Sequence, residues 1–368
     1  MNALASIIAR SRAEREDWRY TDVEKILGAS SPTLPPAANE FQSDLPSRIV
    51  DPARRQRIVF VDGVWRPDLT QFGALSPALV QGDAAQGYRL SFAPQTCLVT
   101  APIELVLVAE QGGESAFKLA VDVGANSSLT VVEHYVGRNV EAATQMVETE
   151  FHLGKQSKLV HGKVMHAMGG AAHFARADVR VEEGAYYLHF ILAKRTRLLR
   201  HEVNVNLAGP LAQCGLHGAL LLQGREHADV VTRVHHAAPY GTSRQLFKAI
   251  VKDQARGVFQ GRIKVAEGAQ KTDGRQLCRA LLLSDQAEMD AKPELEIYAD
   301  DVACSHGCAI GDLDADAMFY LRTRGLSEAE ARALLLRAFV DEAIDTIQSE
   351  EARVYVRSLA ERWMHEHA

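Results

Sequence analysis

From about residue 96 to residue 312 the chain is a succession of strand-length apolar runs, each closed by turn residues. Among them are "TCLVTAPIELVLVAE", "SSLTVVEHYVG", "SKLVHGKVMHAMG", "HEVNVNLAG", "CGLHGALLLQG" and "GVFQGRIKVA". No helical pattern of about 10 to 15 residues interrupts them, which disfavours a doubly wound βαβ sheet and favours a long all-β body. Two architectures compete: a closed sandwich or barrel, and a solenoid of stacked coils. Runs such as "GALLLQG" and "RALLLSD" are nearly continuous in apolar character, and small polar residues and glycines recur between runs without strict alternation. In a solenoid each coil covers the apolar face of the one before, and the terminal coils need caps. With helical segments available at both ends, the pattern favours a β-helix over a sandwich.

Those end segments read differently from the middle. Leu4, Ile7, Ile8 and Ala13 lie on one side of an amphipathic N-terminal helix, with Arg10, Arg12, Glu14 and Arg15 largely on the other. "GASSPTLPPAANEFQSDLPS" (28–47) is rich in Pro, Ser and Asn and reads as a linker or irregular surface segment. "RIVFVDGVWRPDL" (57–69) reads as a β-hairpin turning at Asp62-Gly63. The strand pattern stops at Leu313. "DADAMFYLRTRG" (314–325) opens with Asp314 and Asp316, carries Arg322 and Arg324 in its last turn and closes on Gly325, the marks of a short helix. Ser327 and Glu330 form a capping box for a second helix, whose stripe is Leu336, Phe339, Val340, Ala343, Ile344 and Ile347. A third helix, "SEEARVYVRSLAERWMHEH", keeps Tyr355, Leu359 and Trp363 in step. These stripes are expected to pack on each other or on a partner. The resulting division is 1–95 helical or irregular, 96–312 β-helix core and 313–368 helical.

Composition narrows the function. The 368 residues are 47% hydrophobic, 24% charged and 7% aromatic, an ordinary globular balance. A net charge of -6 and the lack of a long basic run argue against nucleic-acid binding; the densest basic patch, "DPARRQR" (51–57), reads as a solvated loop edge. Five scattered cysteines do not make a secreted disulfide framework, so a reducing cytoplasm is expected. "LASIIA" is too brief for a signal peptide, and no segment reaches the roughly 18 apolar residues of a membrane span.

The common catalytic motifs are missing. "MGGAAH" (168–173) lacks the Gly-Lys-Ser/Thr ending of a phosphate loop, "GPLAQCGLHG" lacks a strand-to-helix context, and there is no nucleophile elbow or His-Glu-x-x-His helix. Of the 14 histidines, His134, His152, His161, His166, His189 and His217 stand isolated in sequence and read as hydrogen-bonded structural residues. His235 and His236 alternate faces of a strand. Cys97, Cys214 and Cys278 read as small buried hydrophobes. "ADDVACSHGCAIGDLD" (299–314) differs, because a period of two puts Cys304, His306 and Cys308 on one side and Ser305 and Gly307 on the other. Two thiols and an imidazole suit zinc, ferrous iron or an iron–sulfur species. The set is one ligand short of a closed tetrahedral site, and turn packing stands as the alternative.

"YADDVACSHGCAIGDLDADAMFYLRTRGLSEAEARALLLRAFVDEAI" (298–344) strongly resembles the C-terminal signature of the SufB/SufD family of iron–sulfur cluster assembly scaffolds. The likeness extends upstream through "KPELEIYADDV" and reaches "WRYTD" at 18–22. It implies a right-handed parallel β-helix between an N-terminal helical region and a C-terminal helical domain. It also implies a non-catalytic scaffold that pairs with a SufB-like subunit through the β-helix and binds the SufC ATPase through the C-terminal helices. By position, His306 falls on the histidine implicated at the SufB interface and Cys304 on the neighbouring cysteine of that motif. Cys308 departs from the pattern, which has alanine after His-Gly; an extra ligand and a small buried residue are both open for it. No tightly bound cofactor is expected in the isolated chain; transient iron or a nascent cluster is expected in the complex. Reduced flavin is linked to the family complex, although the sequence carries no flavin motif. A purely architectural, ATPase-docking protein without metal contact is the alternative, and a zinc- or flavin-dependent enzyme a weaker third. Open strand edges would allow the isolated chain to form a homodimer, and homodimer and heterocomplex both stay open for it.

Overall fold

The computed structural model describes residues 3–28, 56–73, 75–110, 113–137, 143–166, 168 and 170–367. The Pro- and Ser-rich stretch expected to be irregular lies, from residue 29 on, outside the described residues, as does most of the basic patch at 51–57.

The strands form a β-solenoid of about seven turns. They begin with β1 (Arg57–Val61), β2 (Val64–Trp65), β3 (Val80–Asp83) and β4 (Gly87–Phe92), then run from β5 (Cys97–Ala109) and β6 (Gly113–Val123) through to β18 (Glu288–Ile297) and β19 (Ala303–Gly311). Successive strands alternate between two sheets. β19, β17, β15 and the other odd strands back to β5 and β1 build one sheet, ending on β2; the even strands from β18 to β4, ending on β3, build the other. Stacking is parallel except at the β1–β2 and β3–β4 ends. The expected hairpin is present, with Phe60 opposite Trp65 and both Asp62 (φ 48°) and Gly63 (φ 82°) in the left-handed region that a tight hairpin turn needs. Yet β1 also pairs in parallel with β5, and β4 with β6. The β body therefore starts at Arg57 rather than near residue 96, and the segment before 96 is not merely helical or irregular.

The two sheets differ because different things cover them. β13 (Gln213–Leu222) shows why "GALLLQG" is apolar throughout: Leu220 and Leu222 enter the core between the sheets, while Ala219 and Leu221 point outward beneath the C-terminal helices. A strand buried on both faces has no reason to alternate. The other sheet faces solvent over much of its outer side, so β8 (Ala143–Leu153) alternates buried Val147, Phe151 and Leu153 with exposed Glu148, Glu150 and His152.

Corners are closed by residues with positive φ. Gln95, Asn126, Gln156, Gly184, Leu211, Tyr240 and Lys271 occupy equivalent turns, all between 57° and 64°. Each donates its backbone N–H to a carbonyl of the next coil, as Leu211 does to Pro239 at 3.1 Å and Tyr240 to Gln270 at 2.9 Å. The corners thus continue the ladder around the bends.

At the N-terminus α1 (Ala3–Ala13) and α2 (Val23–Gly28) lie on the outer face of the even-strand sheet. The "WRYTD" residues fasten them. Trp18 lies over the Arg200 guanidinium, 3.7 Å from carbon to ring centroid, and Arg200 is itself bonded to Glu202 (2.8 Å) and to Asp229. Thr21 donates to Asp229 Oδ2 at 2.6 Å.

At the C-terminus, α3 (Ala315–Thr323) starts on Asp314, which caps the backbone N–H groups of Asp316 and Ala317, and stops before Gly325 (φ 96°). α4 (Glu328–Ile344) opens on the expected Ser327–Glu330 capping box, and α5 is Glu350–His367. Ile347 lies beyond the end of α4, although it is buried with the stripe. Leu336, Val340, Ala343 and Ile344 of α4, with Tyr355, Leu359 and Trp363 of α5, pack against Val132, Phe190, Leu192, Leu221 and Ile250 of the odd-strand sheet. The stripes therefore cover the solenoid as well as each other. α3 buries none of its residues.

Candidate functional site

β19 is the last strand of its sheet, and no further coil follows it. Its residues are exposed apart from Cys304 and Gly307, which are half-buried. The ladder with β17 (Asp273–Leu282) places Gly274 against Cys304, Gln276 against His306 and Cys278 against Cys308. Cys278 belongs to the core between the sheets, so Cys304, His306 and Cys308 face the interior of the solenoid at its open end. The alternation expected from sequence holds, and Gly307 does not break it: the strand runs straight through to Gly311.

Cys304 packs against the cluster formed by Ile263 and Val265 of β16 (Arg256–Val265) with Ala269 and Ala299, and burial raises its thiol pKa above the ordinary value. Burial does the same for Cys308. Cys308 is nonetheless exposed in the single chain. His306 has no side-chain hydrogen bond to any described residue. It sits in mid-strand rather than in a turn before the helices. Among the described residues, no three His, Cys, Asp or Glu side chains converge closely enough to hold a metal ion.

The two terminal strands treat their free edges differently. β18 carries Pro293 and the charges Glu288, Asp290, Lys292, Glu294 and Glu296, the kind of sequence that blocks edge-to-edge pairing. β19, "ACSHGCAIG", has no proline and no charged residue. Ile310 of β19 is exposed, as are Ile297 at the end of β18 and Tyr298 after it. The edge that carries Cys304, His306 and Cys308 is the unprotected one.

Several residues read as solitary in sequence meet in the fold. His134 Nδ1 lies 3.1 Å from His166 Nε2 under Tyr355 of α5. Inside the solenoid, His189 and His201 are 2.9 Å apart through their Nε2 atoms, and His161 Nε2 is 3.3 Å from Glu133. Burial would raise the Glu133 carboxyl, but His161 and Lys163 hold it well below the usual carboxylate range. Burial pushes Lys163 down to about 8 against the pull of Glu133. It also drives His189 and His201 well below the ordinary imidazole value, which leaves them neutral at pH 7. Leu216 and Phe247 stand in the ladder rows between this group and the mouth. His152 and His217 stay apart from it, and His235 and His236 alternate faces as expected. Cys97 is exposed, not buried, and Cys278 is not solitary.

Comparison with known proteins decides what this mouth belongs to. The family model for the SufBD core domain of SUF system FeS cluster assembly matches residues 106–339, from the fifth strand through the mouth and α3 into α4. The chain belongs to the SufB/SufD family. Within that family it is similar to the iron–sulfur cluster assembly protein SufD of Escherichia coli (strain K12), with 28% identity over 92% of this chain and 85% of the relative. It is also similar to SufD of Bacillus subtilis (strain 168), with 27% identity over 82% and 68% of the two chains. A SufBD family protein of Synechocystis is 27% identical over 90% and 83%. The SufBD match includes β19 and α3, whereas "WRYTD" lies outside it. No helix among the described residues is long and apolar enough to cross a membrane.

Proposed function

We propose that this chain is a non-catalytic, SufD-type scaffold subunit that pairs with a SufB-like subunit through the β19 edge and docks the SufC ATPase through its C-terminal helices. Cys304, His306 and Cys308 lend ligands to iron or a nascent cluster, the cargo, at the joint between subunits. The observation that carries this reading is that the only strand edge of the last coil without protective charges is also the one bearing two thiols and an imidazole toward an open interior. An incomplete set of soft and borderline ligands is completed when a second chain brings its own edge alongside.

Docking of the ATPase is supported by α3. Phe319 is 70% and Tyr320 57% exposed, on a helix with no fully buried residue, whose Ala317, Met318 and Leu321 are half-buried. A purely architectural role would use α3 and leave the mouth idle. The test is His306→Ala in a complex reconstituted with SufB-like and SufC subunits. Loss of cluster assembly, with subunit pairing and ATPase binding retained, is the expected result. Assembly at the parental rate would leave only the architectural role. Phe319→Asp with Tyr320→Asp should release the ATPase while leaving the solenoid folded.

A further inference from the structure

One coil inside the mouth is a second layer of polar groups that neither the family match nor the motif accounts for. Cys278 is 1% exposed and lies directly opposite Cys308 in the parallel ladder, with its side chain on the same interior face. Burial raises its thiol pKa to about 12, and proximity to Cys308 adds to the rise. Gln276, opposite His306, is 3% exposed, yet neither Nε2 nor Oε1 has a hydrogen-bond partner. A buried amide left with both ends unsatisfied is destabilising, and native interiors hold few such groups. Space has been kept for it. A Cβ on Gly261 of β16 would come within 1.6 Å of Gln276 Nε2. The next residue inward, Gln245 of β15 (Thr242–Val251), accepts from Thr232 at 2.7 Å but leaves its own Nε2 unpartnered. Unused amide donors therefore face the interior behind the thiols.

We propose that Cys278 and Gln276 form an inner layer of the mouth site: the Cys278 and Cys308 thiols together bind one thiophilic cation of the iron(II) class, and the Gln276 amide hydrogen-bonds the anionic sulfur beside it. This rests on the reading of the mouth as a metal-handling site and adds two residues to it. Neighbouring strands are about 4.8 Å apart, and a cation about 2.3 Å from each sulfur spans up to about 4.6 Å, so a small side-chain rotation brings both thiols to one ion. Binding replaces two S–H protons, released to solvent, with two metal–sulfur bonds, and involves no change of oxidation state. An amide N–H directed at a thiolate or sulfide is the kind of contact by which proteins tune such sulfurs.

The test uses the isolated full chain, kept reduced, and cadmium(II) as the probe, followed by thiolate-to-cadmium charge-transfer absorption. Cys278→Ala should lower cadmium affinity at least tenfold and weaken the absorption band, as Cys308→Ala should, while Cys97→Ala changes neither. Gln276→Leu should weaken binding several-fold yet raise the melting temperature, because it replaces an unsatisfied amide with an apolar group of similar size. Parental affinity and band intensity in both Cys278→Ala and Gln276→Leu would overturn the inner layer. Failure here leaves the assembly role of His306 standing, since that is read separately in the reconstituted complex.

Discussion

Replacing Arg200 with alanine removes the cation on which the N-terminal helices are fastened. The Arg200 side chain is 2% exposed, and its two carboxylate partners, Glu202 and Asp229, are 3% and 0% exposed. Truncating one member of a buried ion network leaves the others charged and dry, at a cost of about 3–5 kcal/mol. Glu202 provides an independent measure. Burial would raise its carboxyl, but Arg200 and Arg10 bring it down to about 2. A depressed carboxylate stabilises the fold above its unfolded value near 4.5, and that contribution is lost as pH falls toward 2. The shift is worth about 3 kcal/mol at neutral pH, a share of the same network and not an addition to it. Trp18 also loses the guanidinium beneath its ring. Urea unfolding at a series of pH values should show Arg200→Ala less stable by about 3–5 kcal/mol at pH 7, with the gap to the parent narrowing between pH 4.5 and 2. Limited proteolysis should cut residues 3–28 faster in the variant. A loss below about 1 kcal/mol, or a gap that does not change with pH, would refute the account of how "WRYTD" holds the helices.

Glu226, nearly fully buried, has its carboxyl pushed up to about 8 by burial. A raised carboxyl favours the fold below about pH 4.5 and loses that advantage as pH rises through 8, so Glu226→Gln should gain on the parent by up to about 1.4 kcal/mol per pH unit across that window, read by thermal melts. At the corner residue Leu211 (φ 61°, half exposed), Leu211→Val should cost about 1–2 kcal/mol while Leu211→Gly costs little, because a β-branched side chain tolerates the left-handed region worst. Lys163→Met should cost about 3–5 kcal/mol by leaving Glu133 buried without its lysine, and adding Glu133→Gln should recover part of that in a double-mutant cycle. Ser327→Ala should remove the α4 cap for about 1 kcal/mol, seen as faster amide exchange in the first turn of the helix.

The solenoid was legible because its signal is local: doubly buried strands such as β13, with "GALLL" at 218–222, carry apolar residues without alternation, and the helix caps at Asp314, Ser327 and Gly325 act over a few residues. What stayed hidden depends on stacking. Residues 187, 214, 243, 274 and 304 lie in one row, at steps of 27 to 31 residues, so no fixed period marks the coils. That row spacing brings His161 beside His189, both read as solitary along the chain, and sets the equally solitary Cys278 beside Cys308 of the 304–308 cluster. The early start of the β body was hidden in the same way, since "RIVFV" looks like half a hairpin and its pairing with β5 leaves no local mark. The corners escaped notice because leucine, tyrosine and lysine occupy positions where glycine would have signalled a positive φ.

Amide hydrogen exchange of the chain alone and with a SufB-like subunit tests the central claim most directly, that β19 is the edge where a second chain completes the site. The account predicts new protection across residues 303–311 on pairing, with β18, guarded by Pro293 and its charges, changed far less. Protection on β18 or on the outer face of the even-strand sheet, with residues 303–311 exchanging as before, would contradict it.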